Sequence, residues 1–243
     1  MKILLTGGAG FIGGYLRDAL RGNADFHERA HHTFDIAIHC ASRSIDADFT
    51  QSNVVPTLWL AASAAEQGAR IIYLSSLSVY GAVHAPVLRP TTELHTNDPY
   101  GLTKRRAELA IEASGVPAVV LRLPAVVGKG AKRNWLTRIR GQVEVEANNL
   151  DAPFNNAVHV YDLVRFILKL IDRPLVGYNV LTLGSAGTVT VREAIGVVAP
   201  GAKVKEQVWA KAPSFIISNE HASAFGWDPR HIREALEMYR DDR

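Results

Sequence analysis

The sequence predicts an α/β fold with a doubly wound parallel sheet. Three observations predict it. Strand-like runs at Ile3–Leu5, Phe34–Ala41, Arg70–Ser76 and Ala118–Leu123 alternate with helical patterns, the order that a parallel sheet with crossover helices requires. The first run is short and wholly apolar, as a buried strand is. It passes at once into a glycine-rich turn, Thr6-Gly7-Gly8-Ala9-Gly10-Phe11-Ile12-Gly13. A helical pattern follows, with Phe11, Ile12, Tyr15, Leu16 and Leu20 on one side.

Strand, glycine turn and helix in this order form the dinucleotide-binding unit of a Rossmann-type sheet. Each glycine has its own reason. Gly7 allows the tight turn, Gly10 lets backbone approach a pyrophosphate, and Gly13 lets helix and strand pack closely. The phosphates sit at the helix N-terminus, where unpaired N–H groups and the helix dipole favour negative charge. An ordinary βα turn is the plain alternative, since glycines also mark such turns.

Taken in order, the segment Arg21–Thr33 comes next. A second strand ending in an acid that binds the ribose hydroxyl belongs about 20 residues past the glycines, but no apolar strand is evident there. Asp25 and Glu28 lie nearby without strand context. Arg29, His31 and His32 would suit a 2′-phosphate, and a polar surface loop is the simpler reading. His27, His31 and His32 have no further ligand pattern with them, so no metal site is assigned. Phe34–Ala41 ends in small residues, which leave room for a ligand at the carboxyl end of a strand. Ser42–Ser52 is polar and loop-like. Asn53–Gln67 reads as a helix stopped by Gly68, and Arg70–Ser76 as a strand ending in serines. A proline-bearing loop runs to Asp98, an N-cap with Pro99 at the first helical position. Ala118–Leu123 is the next strand.

Beyond Pro124 the pattern loosens. Residues 1–124 are therefore read as the dinucleotide-binding region and 125–243 mainly as a smaller lobe, some of whose strands can join the main sheet. Within that lobe the sequence predicts a short strand at Asn156–Val160, a helix at Asp162–Ile171 and a strand at Tyr178–Leu183. A helix at Thr190–Val198 follows, opened by a capping-like Thr190-x-x-Glu193. The last helix spans Arg230–Tyr239.

The chain of 243 residues is 47% hydrophobic, ample for a sizeable core. No apolar run reaches the ~18 residues of a membrane span, and Met1-Lys2 leads straight into the first strand without a signal segment. A lone Cys40 forms no internal disulfide and fits a reducing, cytoplasmic compartment. A net charge of +3 is too small to argue for nucleic acid.

Tyr100 and Lys104, four apart at a helix start, share one face. An ammonium near a phenol stabilises the phenolate and lowers the tyrosine pKa toward neutrality, which gives a proton donor and acceptor for an alcohol or carbonyl. Ser76, at a strand end, can hydrogen-bond the same oxygen.

Three stretches carry a resemblance: Thr6–Gly13, Leu74-Ser-Ser-Leu-Ser-Val-Tyr-Gly81 and Pro99-Tyr-Gly-Leu-Thr-Lys104. Together they resemble the extended short-chain dehydrogenase/reductase superfamily, in its NAD-dependent epimerase/dehydratase branch, which acts on nucleotide sugars. Leu121–Gly128, His159–Leu163 and Phe225–Pro229 resemble its later signatures. The resemblance implies Ser76, Tyr100 and Lys104 as the catalytic set, with Tyr100 exchanging a proton with the substrate and Lys104 also holding the nicotinamide ribose. It implies that Gly7, Gly10, Phe11, Ile12 and Gly13 line the pyrophosphate of NAD or NADP. Ala41 would lie on the adenosine side, Leu74 along the cofactor, and Leu123 and Pro124 near the nicotinamide. It also implies a homodimer through the helices that start near Asn53 and Tyr100. Ala125 stands where the family often has asparagine, and the segment between Gly13 and His39 is short. The basic cluster Lys129, Lys132, Arg133, Arg138 and Arg140 either pairs with a substrate pyrophosphate, with Lys129 and Arg133 foremost, or is a solvated face. The expected function is an NAD(P)-dependent epimerase or ketoreductase of a nucleotide sugar. The rivals are a reductase of a small carbonyl and a non-catalytic NAD(P) sensor on the same scaffold.

Overall fold

The computed structural model of the chain describes residues 1–22, 26–27, 33–43, 48–207 and 214–242. Six strands form the central sheet: β1 Ile3–Thr6, β2 Phe26–His27, β3 Ile36–His39, β4 Arg70–Ser76, β5 Ala118–Leu123 and β6 Tyr178–Thr182. Their spatial order is β6-β5-β4-β3-β1-β2. The pairs β1–β2, β1–β3, β3–β4 and β4–β5 are all parallel. Every residue of β3 and β5 is buried, which is why these segments read as unbroken runs. After β2 the chain crosses β1 to reach β3, so the winding reverses between β1 and β3. Open α/β sheets bind ligands outside the carboxyl ends of the strands at such a reversal.

The second strand corrects the sequence reading. Phe26 and His27 pair with Ile3 and Leu4, but two residues are too short to show a period. Asp25, Glu28, Arg29, His31 and His32 lie outside the described residues, as does the side chain of His27.

Three helices position the site: α1 Phe11–Leu20, α2 Val55–Gln67 and α3 Pro99–Ala113. Helix α2 starts two residues later than the pattern suggests, because a wider π-type turn occupies Thr50–Val54. It stops at Gly68, whose φ of +63° and N–H bonds back to the Ala64 and Ala65 carbonyls make the expected left-handed cap. The Asp98 carboxylate accepts the Gly101 N–H at 2.8 Å and caps α3. One face of the sheet packs on α2 and α3 through Leu4, Ala37, Ile71, Tyr73 and Val120, against Leu60, Ala61, Ala64, Ala107 and Ile111. Small alanines on the helices let them sit close to the strands.

The chain divides into two compact units, each drawn from three stretches of sequence. The first comprises Met1–Gly81, Glu93–Leu123 and Val164–Leu181; the second comprises Ala82–Thr92, Pro124–Leu163 and Thr182–Arg243. The return to the first unit follows from β6, which extends the sheet beside β5. In the second unit Ala125–Val127 pairs with Ala157–His159 and Glu144–Ala147 with Lys203–Glu206, both parallel. Its core includes Leu136, Val145, Leu150, Ile195 and Leu236. Thr190 and Glu193 form the reciprocal cap that the sequence suggests. Buried Asp162 holds Arg230 through two bonds, of 2.8 and 3.0 Å.

His39 ties β1, β3 and α2 together inside the first unit. Its Nδ1 lies 2.5 Å from Thr6 Oγ1 and its Nε2 2.9 Å from Thr57 Oγ1. Thr57 gives its hydroxyl proton to the Asn53 carbonyl at 2.7 Å, so towards His39 it only accepts. The imidazole therefore carries its proton on Nε2, and Nδ1 accepts from Thr6. Burial, aided by the charge of Lys104, pushes the His39 pKa from 6.5 down to about 3. The unfolded chain takes up a proton near 6.5 while the folded one does not, so stability falls with pH between 6.5 and about 3. Between pH 7 and pH 5 this residue should remove about 2 kcal/mol of stability. Urea denaturation at the two pH values checks this: in His39→Gln the drop should shrink by about that amount.

Candidate active site

The carboxyl ends of β1 and β3 meet at the glycine turn. Gly7 has φ of +80°, and a Cβ there would lie 2.6 Å from the Ala41 nitrogen. A Cβ on Gly13 would lie 2.0 Å from the Gly7 carbonyl oxygen. Both positions exclude any side chain, because backbone already fills the space: the end of β3 in one case, the entry of α1 in the other. Gly10 donates its N–H to Gly7 O at 2.9 Å and opens α1 with no side-chain cap. No acidic residue occupies the first turn of α1. The opening N–H groups of α1, on Phe11, Ile12 and Gly13, thus stand at the switch point with no carboxylate in their own helical turn. This is the donor set that a pyrophosphate takes, so the residues present fit a dinucleotide.

Helix α3 brings Tyr100 and Lys104 to the same sheet. A Cβ on Gly101 would lie 2.4 Å from the Ser78 carbonyl oxygen, so α3 approaches the turn Leu77–Tyr80 at a position only glycine fits. That turn is capped by Ser76, whose hydroxyl accepts the Ser78 N–H at 3.1 Å. Tyr100 lies next to both. Burial raises its pKa, opposed by hydrogen bonds from Ser42 and Ser76, while Asp98 adds to the rise.

Lys104 is buried; its Nζ donates to the Leu74 carbonyl at 2.7 Å and stands 4.7 Å from the Tyr73 ring centroid and 6.0 Å from that of Tyr100. Burial lowers the Lys104 pKa to about 8, with Cys40 and Glu108 pulling it back up. One sequence expectation is corrected here. The tyrosine pKa is not drawn toward neutrality, because burial outweighs the attraction of an ammonium already turned to the Leu74 carbonyl. Two serine hydroxyls, not the lysine, supply the opposing pull.

Beneath these groups lies a buried network. Glu108 accepts from Arg122 Nε at 3.0 Å and Nη2 at 2.8 Å, and from Ser75 Oγ at 2.6 Å. Arg122 also donates to Tyr80 Oη at 2.8 Å. The network joins α3 to β4, β5 and the turn after β4.

The other predicted residues divide. Gly7, Gly10, Phe11, Ile12, Gly13, Ala41, Leu74, Ser76, Tyr100, Lys104 and Leu123 all belong to the first unit. Ala41 touches the glycine turn, Leu74 receives Lys104, and Leu123 is buried at the end of β5. Pro124, Lys129 and Arg133 belong to the second unit, where the last two are exposed. Arg140, in the same basic cluster, stacks over the Tyr239 ring at 4.6 Å and donates to the Arg240 carbonyl at 3.0 Å, a structural role. Ser42, Glu108 and Arg122 escaped the sequence reading. Glu108 lies one turn past Lys104, and Arg122 is a charge inside an apolar strand. Either observation pointed to a buried pair. Ser42 left no such signal.

The family model described as "NAD dependent epimerase/dehydratase family" matches residues 24–184. The chain belongs to that family. Among solved structures, MoeE5 in complex with UDP-glucuronic acid and NAD is 22% identical, with a TM-score of 0.79 over 99% of this chain and 98% of that one. UDP-glucuronic acid 4-epimerase from Bacillus cereus in complex with NAD is 18% identical, with a TM-score of 0.80 and the same coverage. RMD from Pseudomonas aeruginosa, complexed with NADPH, is 20% identical, with a TM-score of 0.78 over 100% and 98%. At these identities the likeness is one of fold. No individually curated protein sequence matches. Among the described residues of this epimerase/dehydratase family member, no group of three or more His, Cys, Asp or Glu could hold a metal, and no helix is long and apolar enough to cross a membrane.

Gly13→Ala is expected to force α1 away from the turn, destabilising the protein by about 1–3 kcal/mol and weakening NAD(H) or NADP(H) binding at least tenfold. Thermal melts and calorimetric titration of both cofactors read the two effects separately.

Proposed function

We infer that this chain is an NAD(P)-dependent epimerase or ketoreductase acting at a ring carbon of a nucleotide-linked sugar. The observation that carries the reading is the grouping of Ser76, Tyr100 and Lys104 in the unit that also holds the uncapped glycine turn. Family membership supports it, and so do neighbours of the same fold whose structures contain UDP-glucuronic acid with NAD, or NADPH.

The bound nicotinamide would take or give the hydride; the rest of the chemistry falls to side chains. Tyr100 Oη takes the proton of the substrate hydroxyl as the carbon is oxidised and returns one on reduction. Ser42 and Ser76, as donors to the phenol, favour the phenolate that accepts the proton. With substrate bound, the single Ser76 proton turns to the reacting oxygen and polarises it, leaving Ser42 as the donor to the phenol. Lys104, with its pKa lowered to about 8, keeps a positive charge at neutral pH that stabilises developing negative charge on the oxygen. Lys129 and Arg133, both exposed, are candidates for the phosphates of the nucleotide.

A homodimer is part of the proposal. Helices α2 and α3 pack against each other and leave Leu58, Trp59 and Leu109 at 50%, 46% and 46% exposure. A patch of large apolar side chains on two adjacent helices suits a symmetric contact with a second copy. The lone thiol of Cys40 fits a reducing, cytoplasmic setting.

Tyr100→Phe should lower turnover of the correct nucleotide sugar by about 10²–10⁴-fold and leave cofactor affinity within about twofold. Turnover close to that of the unaltered protein would overturn the role given to the phenol. For the assembly, light scattering after size exclusion should report twice the 26.5 kDa chain mass, and Trp59→Glu should return it to one. A monomer at every concentration would refute the dimer.

A further inference from the structure

Lys104 is a cation buried almost completely. Taking an ammonium out of water is costly unless groups inside the protein replace its hydration. Its one hydrogen bond among the described residues runs from Nζ to the Leu74 carbonyl at 2.7 Å, so no carboxylate there pairs with it. Glu108, one turn along α3, favours the charged amine by its field. The Glu108 oxygens, however, are taken by Arg122, Arg105 and Ser75. Cys40 favours the charged amine only as a thiolate, and burial pushes that thiol up to about 12. One carbonyl is a thin substitute for a hydration shell.

The remaining contact is the face of Tyr73. Nζ stands 4.7 Å from that ring centroid, inside the ~6 Å reach of a cation–π contact, and the Tyr100 ring, at 6.0 Å, lies at the limit. Such contacts strengthen as water is excluded, and Tyr73 is buried too. Its place is fixed by the sheet: on β4 it pairs in register with His39 on β3 and with Val120 on β5. Its ring stacks on the His39 imidazole, with centroids 5.4 Å apart and planes at 25°. That imidazole is held by Thr6 and Thr57 and stays neutral, its pKa pushed down to about 3. The Tyr73 phenol is held well above its usual range, by burial first and then by Tyr100, Glu108 and Tyr178. The ring therefore presents a neutral π face wherever the lysine titrates.

We propose that Tyr73 is a positioning residue for the proton chemistry inferred above: its ring face is the seat on which the Lys104 ammonium rests beside Tyr100. The proposal rests on that reading and adds the group that holds its cation. The seat acts on charge as well as on place. A π face attracts the ammonium and not the neutral amine. It thus favours the form of Lys104 that stabilises negative charge on the reacting oxygen. It also leaves Glu108 to Arg122, so one carboxylate need not serve two buried cations.

NMR of the full chain, with lysine isotope-labelled at the ε carbon, reads the charge of each amine as pH is raised. The Lys104 signal is the one missing from Lys104→Arg. Without cofactor its midpoint should lie at about 8. Tyr73→Phe keeps a π face and should leave that midpoint unchanged. Phenylalanines carrying one, two and three ring fluorines at the same position keep the shape but drain the face of negative charge. They should lower the midpoint step by step, by about one pH unit in all. Thermal melts check that each variant is folded. A midpoint that does not fall across the fluorinated series would overturn the seat and leave the role of Lys104 standing. An amine already uncharged at neutral pH in the unaltered protein would remove that role and the seat with it.

Discussion

The buried pair of Glu108 and Arg122 is the interaction on which the placement of Tyr100 and Lys104 depends. Glu108 lies on α3, one turn from Lys104, and Arg122 on β5. Two charge-assisted bonds, of 3.0 and 2.8 Å, fix the rotation of α3 about its axis and its height along the strands. Ser75 on β4 and Arg105 on α3 also donate to Glu108, and Tyr80 in the following turn accepts from Arg122. The net stabilisation of such a pair is small, because taking both charges out of water is costly. Removing one partner, however, takes the main counter-charge from a buried group and is costly. The pair therefore serves registry: other orientations of α3 would separate Glu108 from Arg122.

Registry matters because the positions of Ser76, Tyr100 and Lys104 are set by short distances along two elements. Ser76 ends β4, and its hydroxyl caps the turn against which Gly101 packs. A shift of α3 by one residue would turn Tyr100 away from Ser76 and bring a side chain onto the Ser78 carbonyl. The same helix carries Lys104 into the core, where burial draws its pKa to about 8. Electrostatics of the site are thus a consequence of packing. The phenol and the amine sit in low dielectric because α3 is held close to the sheet, and hydroxyls of Ser42 and Ser76 then compete with burial for the charge state of Tyr100.

A second constraint acts at the opening of the sheet. His39 connects β1, β3 and α2 through one imidazole in a single tautomer. The carboxyl ends of β1 and β3, where the glycine turn lies, are thereby held together by a neutral group, without placing another positive charge beside Lys104. The glycines complete the arrangement by contact alone. Where Gly7 meets Ala41, and Gly13 meets Gly7, there is no volume for a methyl group.

Much of this was legible in the amino-acid order. The alternation of runs, the glycine spacing, the Asp98 and Thr190 caps, the Gly68 stop and the shared face of Tyr100 and Lys104 are local properties, dictated by backbone sterics and periodicity within a few residues. They were enough for the fold class and for the candidate trio of Ser76, Tyr100 and Lys104. The two-residue β2 was not legible, since a pairing so short exists only because β1 is beside it. Nor was the return of Val164–Leu181 to the sheet, which depends on which edge is open. Glu108 meets Arg122, Ser42 approaches Tyr100, and the Tyr73 ring faces Lys104 only after distant segments pack. The direction of the tyrosine pKa depended on the same packing. Sequence alone determined which chemical groups were available and which local elements carry them. Tertiary structure decided which of them are buried, paired or left wanting a partner, because burial and long-range pairing are properties of the assembled core.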